Sequence, residues 1–251
     1  MSKISSPADD PTFWSGSTRL LDLDNSKLRL RALRITQLAT GDVQKAIRIH
    51  DFVKSLSFGC PTAGGHTSAP AVLKSGQGDC HSKGTLFVAL LRVSGIPARL
   101  RFVSLSGAFL RGILDMRENS ITHASGEVYL NGQCIQTDSY VADARLEAQA
   151  LAKLKLEAQL LGYGIHAQGC RYWDGLRAAH GQYASEDPLS LPLLDFGVNH
   201  DPELFYVTQP RLLDQSSWLT RAKWSIAARL INRRTQQLRS DVAARVGDQE
   251  H

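Results

Sequence analysis

The chain has 251 residues, of which 43% are apolar and 21% charged, an ordinary globular composition that excludes bulk disorder. Twenty-nine basic residues against twenty-four acidic give a formal charge of +5, a mild bias toward acidic partners and far short of a dedicated nucleic-acid binder. The longest clean apolar run, Leu86 to Leu91, is six residues against the roughly twenty needed to span a bilayer, and Met1 to Trp14 has no apolar stretch of the export-signal type. The expectation is a cytoplasmic protein with no membrane span. Cys60, Cys80, Cys134 and Cys170 are widely spaced and include no C-x-x-C pair, so free thiols are expected rather than a disulfide framework or a structural zinc site.

Residues 1 to 18 are rich in Ser, Pro, Asp and Thr and read as a flexible N-terminus. Asn25 to Ala39 carries Leu28, Ala32, Ile35 and Ala39 at helical spacing, and Thr40 reads as the N-cap of a second helix that runs to about Leu56 with Ala46, Ile49 or His50, and Val53 inward. From Ser57 to Asp79, glycines and prolines predict a long irregular connection, broken at most by a turn around Ala71 to Lys74; long loops in compact domains are often functional. This one ends at Cys80, where an apolar helix begins. That helix is expected over Asp79 to Ser94, with an inward stripe of Gly84, Phe87 or Val88, and Leu91. Gly95 suits a left-handed C-terminal cap and Pro97 forbids continuation. Ala98 to Ser104 then alternates as a strand, Leu100 and Phe102 on one face and Arg99, Arg101 and Val103 on the other.

Asn131-Gly132 between two β-prone runs is a strong hairpin signal. With these two as the turn, Leu130 lies opposite Gln133, Val128 opposite Ile135, and Ser125 opposite Asp138. Opposed strand residues share a face, so Asp138 shares one with Ser125 and with His123 two residues away, and His123 and Asp138 become diagonal neighbours. Beyond the hairpin, Asp143 to Leu161 predicts another amphipathic helix. Residues 162 to 212 are rich in Gly, Pro and aromatics and do not divide. Ser216 or Ser217 caps a long basic helix within Trp218 to Val246. The domain reading is a core over 19–161 and a C-terminal extension over 162–251.

A cysteine at a helix N-terminus lies at the positive end of the helix dipole, which favours the nucleophilic thiolate. A histidine beside it can take its proton, and a carboxylate behind the histidine holds the tautomer and stabilises imidazolium. Cys80, His123 and Asp138 are residues of those types, with the last two placed together by the hairpin register. The backbone N–H of Cys80 and the side chain of Gln77 are candidate oxyanion donors. A metal site built from Cys80, His81, His123 and Cys134 lacks paired ligand spacing, and no metal is assigned. Arg233-Arg234 and the basic final helix read as a solvated face. His66 and His200 sit in loops without an identifiable partner.

Ala71 to Cys80, the apolar helix to Leu91-Arg92, and Gly95-Ile96-Pro97-Ala98-Arg99 resemble the core of the transglutaminase-like superfamily. His123 followed by Glu127-Val128-Tyr129-Leu130, then Gly132 and Asp138, resembles its second and third motifs. The resemblance spans roughly residues 40 to 140. It implies an α+β, papain-like core in which the nucleophile helix packs on an antiparallel sheet, here with a helical C-terminal extension, and in which Cys80, His123 and Asp138 match nucleophile, base and orienting acid. The implied chemistry is attack on an amide or thioester carbonyl, an acyl-thioenzyme, then transfer to an amine or to water, with no cofactor. The implied substrate is a peptide, a protein or a carrier-bound acyl group. The chain departs from the family at Ser125 and Cys134, where tryptophans are frequent. The rival expectation is a catalytically silent binding module that keeps the fold.

Overall fold

The computed structural model of the chain describes residues 10–114, 120–208 and 218–240. Its first element is a 3-10 turn, Pro11–Ser15, capped by Asp10. Trp14 in that turn is buried, with the Arg99 guanidinium 3.7 Å over its ring and Tyr129 edge-on at 6.2 Å. Residues 1–9 of the expected flexible terminus lie outside the described residues.

Helix α1 spans Ser26–Thr36, its N-terminus closed by the Asn25 side chain, which accepts from the N–H groups of Lys27 and Leu28. Helix α2, Asp42–Ser55, buries Ala46, Ile49, His50 and Val53 as expected. Its N-cap is Gly41 rather than Thr40. Gly41 holds φ +95°, a conformation that costs glycine little, while the Thr40 N–H is satisfied by the Gln44 side chain at 2.6 Å.

The connection that follows is more ordered than its composition predicts. Strand β1 (Ser57–Phe58) pairs in parallel with β2 (Gln77–Gly78), and between them lie a 3-10 turn, Gly64–His66, and helix α3, Ala69–Ser75. Two-residue strands carry no periodicity to read, and α3 is anchored from outside by the Leu20 carbonyl, which accepts from the Ala69 N–H at 2.8 Å. The legible signals were Pro70 at the helix start and Gly76 (φ +69°) at its end.

Helix α4, Cys80–Val93, is the centre of the molecule. Asp79 and Ser82 form a reciprocal capping box, the Asp79 carboxylate accepting from the Ser82 N–H at 2.9 Å and the Ser82 hydroxyl accepting from the Asp79 N–H at 2.8 Å. Every residue from His81 to Arg92 is buried, all round the helix rather than along one stripe. The reason is three-layered packing: α1, α2 and α3 cover one side of α4 and the sheet covers the other. Gly95 (φ +81°) ends the helix, with Ile96 N–H bonded back to the Leu91 carbonyl at 2.9 Å. Buried Arg92 is satisfied by three carbonyls, those of Gly16, Ala98 and His200.

Strands β3 (Ala98–Ser106), β4 (Ser120–Leu130) and β5 (Gln133–Thr137) are antiparallel. The hairpin register is the expected one, with Leu130 opposite Gln133 and Val128 opposite Ile135; the ladder stops at Thr137, one residue short of Asp138. Asn131 and Gly132 take φ +50° and +81°, the two positive values a tight hairpin turn requires. Helix α5, Ala144–Leu156, is capped by Asp143 and ends earlier than expected. There Ala158 adopts φ +49° and the Glu157 carboxylate turns away to Arg111 and the Tyr163 hydroxyl.

The undivided stretch beyond α5 contains the short pair β6 (Leu161–Gly162) and β7 (Ile165–His166), then β8, Leu194–Asn199. Strand β8 joins the outer edge of β3, giving the sheet order β5-β4-β3-β8. Helix α6, Pro202–Thr208, stacks Phe205 on Phe102 with ring centroids 3.9 Å apart and planes 3° from parallel. Helix α7 covers Trp218–Ser240; the expected caps Ser216 and Ser217 and the stretch 241–246 lie outside the described residues. Arg233 is exposed, as expected of a solvated face. Arg239, however, pairs with Asp143 and donates to the Phe58 carbonyl, and Arg234 donates to that of Ile113.

Candidate active site

Cys80 is the first residue of α4 and is partly exposed, which puts its thiol at the open end of the helix where unsatisfied N–H groups gather. The first turn is pinned beside β4 by His81, whose Nε2 lies 3.3 Å from the Thr122 carbonyl and whose Nδ1 lies 3.1 Å from the Tyr206 hydroxyl. The next residue on that strand is His123. Its ring is 0% exposed, and Nε2 bonds Asp138 Oδ2 at 2.8 Å. Nδ1 is buried without a completed hydrogen bond, and the other group that acts on this ring is the Cys80 thiol.

Asp138 is also fully buried, and it is held from a second direction. Its Oδ1 accepts from the Gly181 N–H at 2.6 Å, and its own N–H donates to the Ala179 carbonyl at 3.1 Å. His180 Nδ1 stands 3.7 Å from Oδ2, its ring stacked on Tyr183 at 4.4 Å. Residues 179–183 therefore form a strap along the end of β5, and Thr137 pairs with Ala179 in an isolated bridge. Nothing in the sequence pointed to His180 or Gly181, because a strap without periodicity or local partner acquires its position only by pairing with a distant strand end.

The turn after Asp138 is braced from the helical side. His50 Nε2 meets the Ser139 hydroxyl at 2.8 Å, Lys54 Nζ donates to the Ser139 carbonyl at 2.8 Å, and Lys83 Nζ donates to the carbonyls of Val141 at 2.8 Å and Leu56 at 3.0 Å. Lys83 belongs to α4, one turn beyond Cys80, and is completely buried. The sequence signal for this brace is a charged residue inside an apolar helix.

The electrostatics follow from these contacts. Burial pulls the His123 imidazole toward neutrality, but the bond to Asp138 and the adjoining Cys80 thiol outweigh it and raise its pKa to about 10. Asp138 resists the upward push of burial and is held far below the ordinary carboxylate range by the hydrogen bond from His123 and by the nearby His180 ring. Lys83 is pushed down to about 7 by burial, with Asp143 opposing.

Gln77, the other candidate donor, is exposed on β2, its side chain lying over Gly59, where an added Cβ would fall 3.1 Å from Gln77 Oε1 and 3.2 Å from Asn232 Oδ1. Asn232 of α7 clamps the Cys60 peptide with both ends of its amide, at 2.7 and 3.0 Å. Of the four residues weighed for a metal, Cys134 is exposed on β5 opposite Tyr129. Among the described residues no group of three or more His, Cys, Asp or Glu is arranged to hold an ion. His66 does have a partner, its ring packing 5.0 Å from Tyr206, and the His200 carbonyl accepts from Arg92. No described helix is long and apolar enough to cross a membrane.

Residues 30–140 match the model of the transglutaminase-like superfamily. No curated protein matches the chain. Among solved structures, a candidate cysteine protease from Cytophaga hutchinsonii is similar, with 23% identity and a TM-score of 0.42 over 53% of this chain and 44% of that one. A candidate protease from Parabacteroides distasonis is similar at 20% identity, with a TM-score of 0.34 over 50% of this chain and 26% of that one. The chain thus spans less than half the length of either protein.

Proposed function

We propose, from the match of residues 30–140 to the transglutaminase-like superfamily model, that the protein is a thiol enzyme that works on an amide or thioester carbonyl through an acyl group held on Cys80. The observation that carries this reading is the fully buried His123–Asp138 pair at 2.8 Å, with Nδ1 of the histidine left over for the thiol at the N-terminus of α4.

In this mechanism Cys80 Sγ attacks the carbonyl carbon and His123 holds the proton the thiol gives up. The negative charge that develops on the carbonyl oxygen is met by the Cys80 backbone N–H, with Gln77 as second donor. Collapse breaks the bond to the leaving group, His123 delivers its proton there, and an acyl-thioenzyme remains. An amine or water then attacks the thioester, loses a proton to His123, and releases the product and the Cys80 thiol. Asp138 stays ionised throughout and holds the ring so that Nε2–H points at it and Nδ1 faces the sulfur. The raised pKa of His123 supports an imidazolium that is stable enough to persist and available to donate.

The test is mass spectrometry of the full chain incubated with amide and thioester donors. An acyl adduct should appear on Cys80, vanish in Cys80→Ala, and be discharged faster when amines are added if transfer to amines is the physiological outcome. Absence of any adduct, together with iodoacetamide labelling of Cys80 no faster than that of an unactivated thiol at neutral pH, would favour the silent binding module instead.

A further inference from the structure

Helix α1 is strongly one-sided in charge: Lys27, Arg29, Arg31 and Arg34 lie within Ser26–Thr36, which has no acidic residue. Arg29 faces Asp24 at 3.8 Å. The other three stand at i, i+4 and i+7 and so share one face. Together with Lys74 of α3 they line a groove of about 610 Å³ between the two helices, floored in part by Leu30 and Leu73.

Among the described residues no carboxylate lines this groove. Among the described residues Lys27, Arg34 and Lys74 have no side-chain hydrogen bond or ion pair, and the Phe52 ring lies 5.1 Å from the Arg31 guanidinium. Like charges at i and i+4 repel each other, and among the described residues no carboxylate pairs with Lys27, Arg31, Arg34 or Lys74 to offset this row. Leu30 is 48% exposed beside them, so the groove offers apolar contact between the charges.

The charge row extends over about 10 Å along α1, at 1.5 Å of rise per residue. That is longer than a single phosphate and matches the span over which a second helix presents carboxylates at i, i+4 and i+7. A concave groove of this volume also suits an inserted segment better than a flat bilayer surface. We propose that the groove between α1 and α3 docks an acidic amphipathic helix of a partner protein, its Asp and Glu residues on Lys27, Arg31, Arg34 and Lys74 and its apolar residues on Leu30 and Leu73. The site is separate from the Cys80 chemistry and stands whether or not the proposed acyl transfer does.

The experiment uses the full chain and a fluorescein-labelled amphipathic peptide of about 18 residues, with Glu at i, i+4 and i+7 and Leu between them, read by fluorescence anisotropy. Saturable binding is expected, weakened at least about tenfold by the double variant K27E/R34E and several-fold on raising salt from about 50 to about 300 mM. K74E, from the opposite wall, should weaken it as well, while iodoacetamide labelling of Cys80 stays unchanged in all variants. Circular dichroism checks their folding, and K74E decides the matter if the double variant does not fold. Equal binding by the charge-reversed variants, or by a peptide with Lys in place of Glu, overturns the proposal. So does displacement of the peptide by inorganic phosphate at low millimolar concentration, which would mean a single-anion site. Co-sedimentation with phosphatidylglycerol vesicles without peptide binding would mean a membrane surface and equally overturns it.

Discussion

Asp138 is the most constrained residue of the candidate site: one carboxylate oxygen takes the His123 proton donor at 2.8 Å and the other takes the Gly181 N–H at 2.6 Å. Asp138→Asn keeps the shape but presents an amide where an anion holds the histidine. The expected result is a fall of at least about tenfold in the rate at which iodoacetamide alkylates Cys80 at neutral pH, followed by intact-mass spectrometry. An unchanged rate would remove Asp138 from the chemistry and leave it a structural role.

The same residues make stability depend on pH, with signs that can be worked out. His123 rises from an ordinary 6.5 to about 10, so its contribution is fully present below 6.5 and is lost as pH rises through about 10. Asp138 is depressed from 3.8, so its contribution is present above 3.8 and is lost as pH falls toward its lowered value. Lys83 runs opposite to His123 and in the same sense as Asp138. Its pKa falls from 10.5 to about 7, so between those values the unfolded chain binds the extra proton and stability rises with pH. Lys83→Met should abolish that gain. Measured by urea unfolding at about pH 7 and about pH 10, the stability of the wild type relative to the variant should increase with pH; a constant difference would mean that Lys83 keeps its proton throughout.

At the scale of elements, the close approach of β4 to α4 depends on a missing side chain. An added Cβ at Gly126 would fall 2.6 Å from the Phe87 ring, whereas one at Gly132 in the hairpin turn would meet nothing within 4 Å. Gly126→Ala is therefore expected to cost about 1–3 kcal/mol through overpacking. Gly132→Ala, at φ +81°, should cost about 1 kcal/mol through backbone conformation alone. Denaturation midpoints of the two variants distinguish the causes, because relieving Phe87 with Phe87→Leu should rescue only Gly126→Ala.

The elements also differ in how far they could be read. Helices α1, α2, α4 and α5 and the β4–β5 hairpin declare themselves because their signals are local: an apolar period, a capping side chain, an Asn-Gly turn. Strand β8 and the 179–183 strap are invisible for the opposite reason. Each takes its place only because a partner far along the chain supplies its hydrogen bonds, β3 for the one and the end of β5 for the other. The full burial of α4 is not legible locally either, since its polar members His81, Lys83 and Arg92 find hydrogen-bond partners at Tyr206 and Thr122, at Leu56 and Val141, and at Gly16, Ala98 and His200.

For the molecule as a whole, the C-terminal third closes the sheet. Strand β8 occupies the edge that β3 would otherwise expose, and Phe205 covers Phe102 in parallel contact. Phe205→Ala is expected to cost about 3–5 kcal/mol, the range for emptying a buried aromatic site, as measured by urea unfolding. A loss below about 1 kcal/mol would mean that α6 is dispensable to the core. Helix α7 adds a second tie, from Asn232 to the Cys60 peptide and from Trp224 to the Pro61 carbonyl, next to the segment that carries Gln77.

The amino-acid sequence by itself determined the helix that starts at Cys80, the turn at Asn131-Gly132, and hence the register that sets His123 near Asp138, because caps, periods and tight turns act over a few residues. Only the tertiary structure decided what surrounds that pair. The Gly181 N–H, the His180 ring, the Lys83 brace and the groove of unpaired cations between α1 and α3 each join residues far apart in the chain, and such contacts are fixed by packing and burial, which no local pattern encodes.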